Sequence, residues 1–424
     1  MDVVWLKKDV RMHDHAPLSL ISSSSSRPCL ILYLYEPDQL SEYTVHGSHV
    51  AFVNEGLVDL DKRLSGCSSS TTTTADIYQH HFQCITVCHA GAVFTLSQLH
   101  KANPIKNIYC HMESAHLKSF ARDKAVRKWC RSNEVTIKEF NQTGVTRCLS
   151  SRDDFSTNFK RFLDEQIPPT PTAAQLHDMR QRLINTDEIN LHGTRCTTPL
   201  KPTDIKEIQY PSDRNNRQHG GESIALEMLR TFLSRRGANY STGISSPNTS
   251  WTSCSRLSPY LTWGNISLRL VIVSTKSKQE ELRALKKTSN NTPTPWLRSL
   301  ASFSSRMHWR SHFIQKLESQ PSLEIEDQCL AYSHLRREPN DFNQEYYDSW
   351  CTGNTGYPFV DACMRCLHDC GWINFRMRAM LVSFATYNLW LDWKRIAGHL
   401  ARLFLDYEPG IHYPQLQMQA GTTG

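Results

Sequence analysis

Arginine, acidic and aromatic residues are concentrated near the end of the chain, between residues 350 and 424. Arg376 and Arg378 precede two acids, Asp406 and Glu408, on a segment that ends at a Pro-Gly pair. Guanidinium and carboxylate groups form charge-assisted hydrogen bonds with polar ligands, and aromatic rings cover flat ligand surfaces. The pattern therefore indicates a pocket for a large polar cofactor.

A second stretch with binding potential is Ser-Arg-Leu-Ser at residues 255–258. Hydroxyl, guanidinium and backbone amide groups hold pyrophosphate anions by charge-assisted hydrogen bonds. A helix N-cap explains the two serines equally well. A similar choice arises at 302–318, where Trp309, Arg310 and Phe313 either line a cleft or belong to an ordinary amphipathic helix.

Cysteine usage argues against a metal centre. The 14 cysteines follow no disulfide-rich spacing, which favours a reducing compartment. Cys363, Cys366 and Cys370 form one cluster of soft ligands, but a fourth ligand is missing. Because these cysteines lie at helical spacing among apolar residues, we expect them to fill a packed face, and we predict no metal site.

Strands and helices alternate over the first 140 residues. The predicted strands are 3–6, 29–35, 85–87, 105–110 and 135–137, and the predicted helices include 50–64, 92–100 and 120–131. This alternation predicts a Rossmann-like α/β fold with a parallel sheet and crossover helices. The phosphate-binding G-x-G-x-x-G pattern does not follow the first strand, so the dinucleotide fingerprint is missing.

Composition shifts divide the chain into three parts. Residues 1–165 form the predicted α/β domain, with a disordered Ser/Thr loop expected at 65–74. Residues 166–220 begin with a Pro-rich stretch, are mostly polar and predict an interdomain linker. Apolar residues then recur at helical spacing, which predicts an all-helical domain over 221–424.

Length and charge bound the functional classes. A chain of 424 residues has room for two domains, and a net charge of +7 suits either a nucleic-acid-binding protein or a basic enzyme. No apolar run reaches the roughly 18 residues that a membrane helix needs. The N-terminus has no signal-peptide pattern, so we expect an intracellular protein, with cytoplasm, nucleus and organelle left open.

Two long strings carry a family resemblance. The string W-x-x-G-x-T-G-Y-P-x-V-D-A-x-M-R begins at Trp350, and G-W-x-x-x-R-x-R ends at Arg378. Both resemble the flavin-binding helical domain of the cryptochrome/photolyase family, and the N-terminal W-L-K-K-D-V-R-M-H-D-H is similar to the opening of photolyases. The resemblance implies non-covalently bound FAD. The family normally continues past the position of residue 424, so a helical domain incomplete at its C-terminus is expected.

The resemblance also implies roles for single residues of the helical domain. The implied contacts with the FAD phosphates are Tyr240, Ser255, Arg256, Leu257 and Ser258. The other implied cofactor contacts are Trp309 and Arg310 at the cleft wall, Arg378 and Asp406 as an ion pair beside the ring system, and Glu408 near the ribose and adenine. His412 falls near flavin N5, where a histidine that titrates near neutrality gates flavin protonation; a surface-loop histidine is the equal alternative.

The chain departs from the family at several positions. Trp393 corresponds to the middle member of the family's three-tryptophan photoreduction relay and has an expected catalytic role, but the flavin-proximal position, 416 or 417, holds no Trp. Arg306 stands where dimer photolyases have a lesion-binding Glu, and Met418 replaces a lesion-stacking Trp. Arg306 and Trp309 are the expected DNA contacts, and ordinary dimer repair is not expected.

Together these features predict an FAD-binding blue-light flavoprotein, in which light drives flavin redox chemistry in a photoreceptor or DNA-binding role. The alternative is an active deoxyribodipyrimidine photo-lyase that repairs UV-damaged DNA. A third class is a light-independent flavin oxidoreductase. We expect a monomer whose partner is DNA or a signalling protein. The family's N-terminal domain often holds an antenna chromophore, and no residue here selects folate, deazaflavin or none.

Overall fold

A twisted sheet organises the first part of the computed structural model, which describes all residues except 24–25, 68–73, 188, 190, 192, 289–293, 336–340 and 424. Within that described part, the strands are β1 (Asp2–Leu6), β2 (Cys29–Leu34), β3 (Ile85–Cys88), β4 (Asn107–His111), β5 (Thr136–Phe140) and β6 (Arg195–Cys196). Their order is β5-β4-β1-β2-β3-β6, and every pair is parallel except β3 with β6. The α/β prediction is confirmed.

The central strand, β1, is buried on both faces, as expected for a parallel sheet covered by helices. Its side chains alternate between the two faces because the period of a strand is two residues. Val4 and Leu6 pack in the core on one side of the sheet, and Val3 and Trp5 pack in the core on the other side. The apolar run therefore supplies both cores at once.

Helices cover both faces of this sheet. The helices of this part of the chain are α1 (Ala16–Ser23), α2 (Pro37–Leu40), α3 (Gly47–Ser65), α4 (Thr74–Ile77), α5 (Ala92–Ala102), α6 (Leu117–Ser132), α7 (Phe155–Asp164) and α8 (Ala173–Gln181). Strand β6 and helix α8 both lie in the stretch 166–220, and Leu176 and Met179 of α8 are buried in the core that contains Val4. Most of the predicted Ser/Thr loop, residues 68–73, lies outside the described residues.

The remainder of the chain is helical, as predicted. Its helices are α9 (Glu222–Ser234), α10 (Tyr240–Gly243), α11 (Ser250–Ser253), α12 (Ser258–Trp263), α13 (Leu268–Thr288), α14 (Thr294–Ser319), α15 (Gln344–Thr352), α16 (Pro358–Cys370), α17 (Phe375–Ser383), α18 (Trp393–Leu403) and α19 (Pro409–Ala420). Gly371 ends α16 at φ 71°, a left-handed conformation that glycine adopts without steric cost. No helix in the described ranges is long and apolar enough to span a membrane.

The loop after β1 joins the sheet to the helical part. Arg11 donates to the Gly264 carbonyl at 3.0 Å, and Asn265 donates to the Val10 carbonyl at 3.0 Å. Gly264 has φ 76°, and a Cβ at this position would lie 2.1 Å from the Lys8 carbonyl oxygen. Only glycine fits there, because both the backbone conformation and the close approach exclude a side chain.

Candidate cofactor site

The segment between α18 and α19 carries the two predicted acids, which we call the acid loop (residues 404–408). Asp406 forms an ion pair with Arg378 of α17, and Glu408 forms one with Arg310 of α14. Both carboxylates are largely buried. Two residues of one loop thus connect two helices that are far apart in the sequence.

The Arg378–Asp406 pair is bidentate. Arg378 Nη1 and Nη2 each donate to a different oxygen of Asp406 at 2.9 Å, and Arg378 Nε donates to the Ile373 carbonyl at 2.9 Å. The guanidinium also lies 4.3 Å from the centre of the Phe404 ring. Burial raises the pKa of Asp406, but the charge and hydrogen bonds of Arg378 outweigh burial and leave that pKa below its ordinary value. Asp406 is therefore an anion that fixes the guanidinium.

The second pair faces the boundary between the two parts of the molecule. Arg310 Nη2 donates to Glu408 Oε2 at 3.0 Å and to the Leu261 carbonyl at 3.2 Å. Arg310 and Glu408 line a small interdomain cavity of about 30 Å³ together with Lys8 and Arg11. These two predicted contacts therefore line the interdomain cavity, whereas Arg378 and Asp406 do not.

The predicted phosphate segment, residues 255–258, lies against the acid loop. Leu257 is fully buried in the core, so only its backbone is available to a ligand, and Ser258 is the first residue of α12. In the same helix, Thr262 Oγ1 donates to the Asp406 carbonyl at 3.3 Å, and Trp263 Nε1 donates to the Leu405 carbonyl at 2.8 Å. These contacts bring the predicted phosphate contacts and the ion pair into one site.

Arg256 projects from this segment against two indole rings that also contact each other. Its guanidinium carbon lies 4.4 Å from the centre of the Trp251 ring and 3.9 Å from that of Trp372. Arg256 Nε donates to Gln218 Oε1 at 3.0 Å, and Gln218 Nε2 donates to the Arg256 carbonyl at 3.0 Å. No hydrogen bond or ion pair within the described ranges uses the terminal nitrogens of Arg256, which leaves them for an anion.

Two further residues bear on whether a flavin nucleotide fits. Tyr240 is buried and forms edge contacts with Phe232 and Phe303 at the start of α10. Asn374 precedes α17 and donates to the Ile244 carbonyl at 2.9 Å, while its buried Oδ1 accepts no hydrogen bond within the described residues. A buried acceptor without a donor is costly unless a ligand supplies the donor. A sugar hydroxyl of FAD can donate to Asn374 Oδ1, and the phosphates of FAD can accept from the terminal nitrogens of Arg256. These residues therefore fit FAD.

The predicted DNA contacts on α14, Arg306 and Trp309, are exposed, whereas Arg310 is buried. Trp309 is 48% exposed and packs beside Phe313, and the Arg306 guanidinium lies 5.9 Å from the centre of the Phe375 ring. Adjacent helical residues project about 100° apart, which explains why Arg310 is buried while Trp309 is exposed. This face offers an indole and a cation to solvent.

His412 is buried in α19, so the surface-loop alternative is wrong. Its Nε2 lies 2.9 Å from the Ala397 carbonyl oxygen, and burial lowers its pKa to about 3 although that hydrogen bond opposes the shift. The expected titration near neutral pH is therefore wrong as well, because the ring stays neutral until strongly acid conditions. Trp393 is also buried; its Nε1 donates to Asp327 at 2.6 Å, and its ring is in an edge arrangement with Tyr413.

Potential metal ligands occur elsewhere. Within the described ranges, Asp9, His15 and His111 are buried with ligand atoms inside 4.8 Å. The Leu18 amide donates to His15 Nδ1 at 3.2 Å, which places the ring hydrogen on Nε2, 3.2 Å from Asp9 Oδ2. A protonated nitrogen does not bind a cation, and the other ring, His111, hydrogen-bonds the same carboxylate through Nδ1 at 2.7 Å. Of the predicted cysteine cluster, Cys363 and Cys370 are buried in packed cores.

Sequence reasoning missed three residues of this site. Gln218 lies in the predicted linker, Trp251 lies in a polar Asn-Thr-Ser-Trp stretch, and Asn374 lies inside a recognised string without a predicted role. None of them belongs to a local pattern that indicates binding, because their contacts join segments separated in the sequence. The aromatic neighbours of Arg256 were the one available signal, since arginine stacks on tryptophan.

Comparison with known proteins gives consistent matches. The sequence model described as DNA photolyase matches residues 2–165, and the model described as FAD binding domain of DNA photolyase matches residues 303–424. The deoxyribodipyrimidine photo-lyase of Buchnera aphidicola subsp. Acyrthosiphon pisum (strain APS) is 22% identical, and the match covers 96% of this chain and 77% of that protein.

Two solved structures share the fold. A cryptochrome from Synechocystis sp. PCC6803 superposes with a TM-score of 0.76 at 20% identity, over 100% of this chain and 82% of the other. A photolyase from Sulfolobus tokodaii gives a TM-score of 0.68 at 21% identity, over 100% of this chain and 83% of the other, and its structure is described as containing two FAD molecules. The α/β-plus-helical architecture is confirmed by both.

Proposed function

Because the chain belongs to the cryptochrome/photolyase family and carries that family's FAD-binding domain, we propose that it is a blue-light flavoprotein with a DNA-binding or photoreceptor role. The proposal includes an α/β domain at 1–165, a connecting segment at 166–220 and a cofactor domain at 221–424. Intracellular location and a monomeric state are also part of it.

The Arg378–Asp406 pair carries the proposal. FAD supplies light absorption and electron-transfer chemistry when it is bound. Arg378 offers a fixed positive charge to the ring system, and Asp406 keeps that guanidinium in place through two hydrogen bonds. A buried ion pair contributes little net stability because desolvation offsets the attraction, so its presence is better explained by function.

The remaining site residues bind and orient. Arg256, Ser255 and Ser258 would hold the phosphates with Tyr240 beside them, since hydroxyl and guanidinium groups suit such anions. Glu408 orients Arg310 at the interdomain wall. His412 contributes a neutral ring that is hydrogen-bonded to Ala397, so it fixes the position of α19 and does not gate a proton near neutral pH. We retain Trp393 as a relay residue, since Asp327 accepts its indole hydrogen.

Two activities are compatible with an exposed Trp309 on α14. In the first, Trp309 stacks on a base and Arg306 contacts a phosphate, which gives DNA binding without repair. In the second, the same surface grips a lesion and the protein is a photolyase, as the Buchnera relative is named. We favour the first, because Arg306 and Met418 replace two of the three side chains by which the family grips a lesion.

Purification and illumination test the proposal directly. We expect protein isolated with its full native length to be yellow and to release FAD on denaturation; colourless protein that takes up no added FAD refutes the cofactor assignment. The reduced protein is then illuminated with single- and double-stranded oligonucleotides that contain a cyclobutane dimer. Binding without dimer reversal supports the favoured activity, efficient reversal supports a photolyase, and turnover in the dark with a chemical electron donor supports the oxidoreductase class.

A further inference from the structure

Arg256 adopts a backbone conformation that non-glycine residues seldom use. Its φ of 59° lies in the left-handed region, between Ser255 and the buried Leu257. Such a conformation persists only where surrounding contacts hold it, and it is concentrated at ligand sites. The contacts that hold Arg256 in this conformation therefore indicate the function of its side chain.

Three neighbouring side chains fix the side chain of Arg256. The guanidinium carbon lies 4.4 Å from the centre of the Trp251 ring and 3.9 Å from that of Trp372, and these two rings are themselves in edge contact at 5.2 Å. Gln218 binds both the side-chain Nε and the backbone carbonyl. Trp251 is 39% exposed, so its ring is not simply core filling. Of the guanidinium nitrogens, these contacts use only Nε. They leave the edge that carries the terminal nitrogens, which is the edge that binds phosphate oxygens in pairs.

Gln218 is itself fixed by its neighbours along the chain. Arg217 forms two hydrogen bonds of 2.9 Å with Glu55 of α3, and His219 Nδ1 lies 2.9 Å from the same carboxylate. The Gly220 amide also donates to Glu55. The contacts of these neighbours with Glu55 fix the position of Gln218 relative to the α/β part, and the hydrogen bonds of Gln218 in turn fix Arg256.

We infer that Gln218, Trp251 and Trp372 are positioning residues that present the terminal nitrogens of Arg256 to the phosphates of a flavin nucleotide. The inference rests on the proposed function and adds a selectivity: the site distinguishes a phosphorylated flavin from riboflavin, which has no phosphate. Preorganisation strengthens binding because less side-chain freedom is lost when the ligand arrives.

The experiment measures binding of FAD and of riboflavin by fluorescence titration of the cofactor-free protein. Trp251→Ala and Gln218→Ala are each expected to weaken FAD binding about threefold to tenfold, the range of one lost cation–π contact or hydrogen bond. Riboflavin binding is expected to change less than about twofold, because riboflavin has no phosphate for Arg256 to bind. Trp251→Phe retains an aromatic face and is expected to recover part of the loss. Trp129→Ala, in α6 of the α/β part, is the matched control and leaves the FAD-to-riboflavin ratio unchanged.

An Arg256→Ala background separates positioning from folding. If Trp251 and Gln218 act through Arg256, their substitution causes no further loss of FAD affinity in that background. Equal losses for FAD and riboflavin, or full additivity with Arg256→Ala, overturn the inference while FAD binding by the parent protein keeps the proposed function. A parent protein that binds no FAD instead refutes the proposed function.

Discussion

The ion pair of Arg378 with Asp406 makes a sharp energetic prediction. We consider Asp406→Ala, Arg378→Ala and the double variant in a thermodynamic cycle. Each single change leaves one charged group in a site from which water is largely excluded, since the side chains of Arg378 and Asp406 are only 24% and 3% exposed. The double change leaves none. We therefore expect either single variant to be less stable than the double variant.

The geometry sets the magnitude. Removing one partner of a buried pair costs about 3–5 kcal/mol. Asp406→Ala should lie near the lower end, because the guanidinium of Arg378 retains partial access to water and the contact with Phe404. Arg378→Ala should lie near the upper end, because the carboxylate that remains is almost completely buried. Because the double variant should lose less than either single variant, the coupling energy is then at least as large as the larger single loss, about 5 kcal/mol.

Denaturant unfolding followed by circular dichroism at pH 7 measures all four proteins. The exposed pair of Glu227 with Arg230 on α9 is the matched control, and its coupling energy should be zero within experimental error. Lowering the pH gives an internal check. The low pKa of Asp406 stabilises the parent protein above the unfolded pKa of about 3.9 and this contribution is lost as the pH falls through the folded pKa. The gap between parent and Arg378→Ala should therefore narrow in acid. Single effects that simply sum in the double variant refute the pairing.

Three further predictions concern the cofactor, pH and DNA. Arg256→Ala should weaken FAD binding by about 1.5–3 kcal/mol, the loss of one hydrogen bond to a charged group, and unchanged affinity in a titration would contradict the phosphate assignment. Stability should fall between about pH 6.5 and pH 3, because buried histidines bind protons in the unfolded chain but not in the folded one, and a flat denaturation midpoint from pH 7 to 5 would contradict this. The histidines whose pKa burial lowers to about 2 or 3 are His46, His49, His111, His399 and His412. Repair of cyclobutane dimers should be weak or absent. DNA affinity should fall steeply as the salt concentration rises and should be lower in Arg306→Ala; binding that does not depend on salt would contradict the phosphate contact.

The sheet was predictable because short local sequence patterns indicate its strands. Within the strand at residues 2–6, residues 3–6 form a short apolar run, and a run of that kind fits a strand buried on both faces. Strand β6 has only two residues, and its antiparallel pairing with β3 depends on a contact across the fold. Helix α8 was missed because its polar composition resembles a linker, although it is fixed by Leu176 and Met179.

The site was predictable only where resemblance supplied distant partners. The pairing of Arg378 with Asp406 was implied in this way, and the geometry of the structure agrees with it. Burial of His412 was not predictable, because nothing in its neighbours along the chain indicates that Ala397 and the adjacent helices enclose it. The role of Gln218 was equally hidden, since it depends on a left-handed backbone at Arg256 that no sequence pattern indicates.

The junction between the loop after β1 and the helical part has a consequence for biosynthesis. Arg269 donates to Asp14 at 3.2 Å, and the two residues are 255 positions apart in the chain. At translation rates of about 5–20 residues per second, the carboxylate of Asp14 leaves the ribosome about 13–50 s before its partner does. During that interval the loop presents Asp14 and the amides of Met12 and His13 without their later partners. A nascent chain stalled before Glu222 should therefore be more sensitive to protease at this loop than one stalled after Arg269.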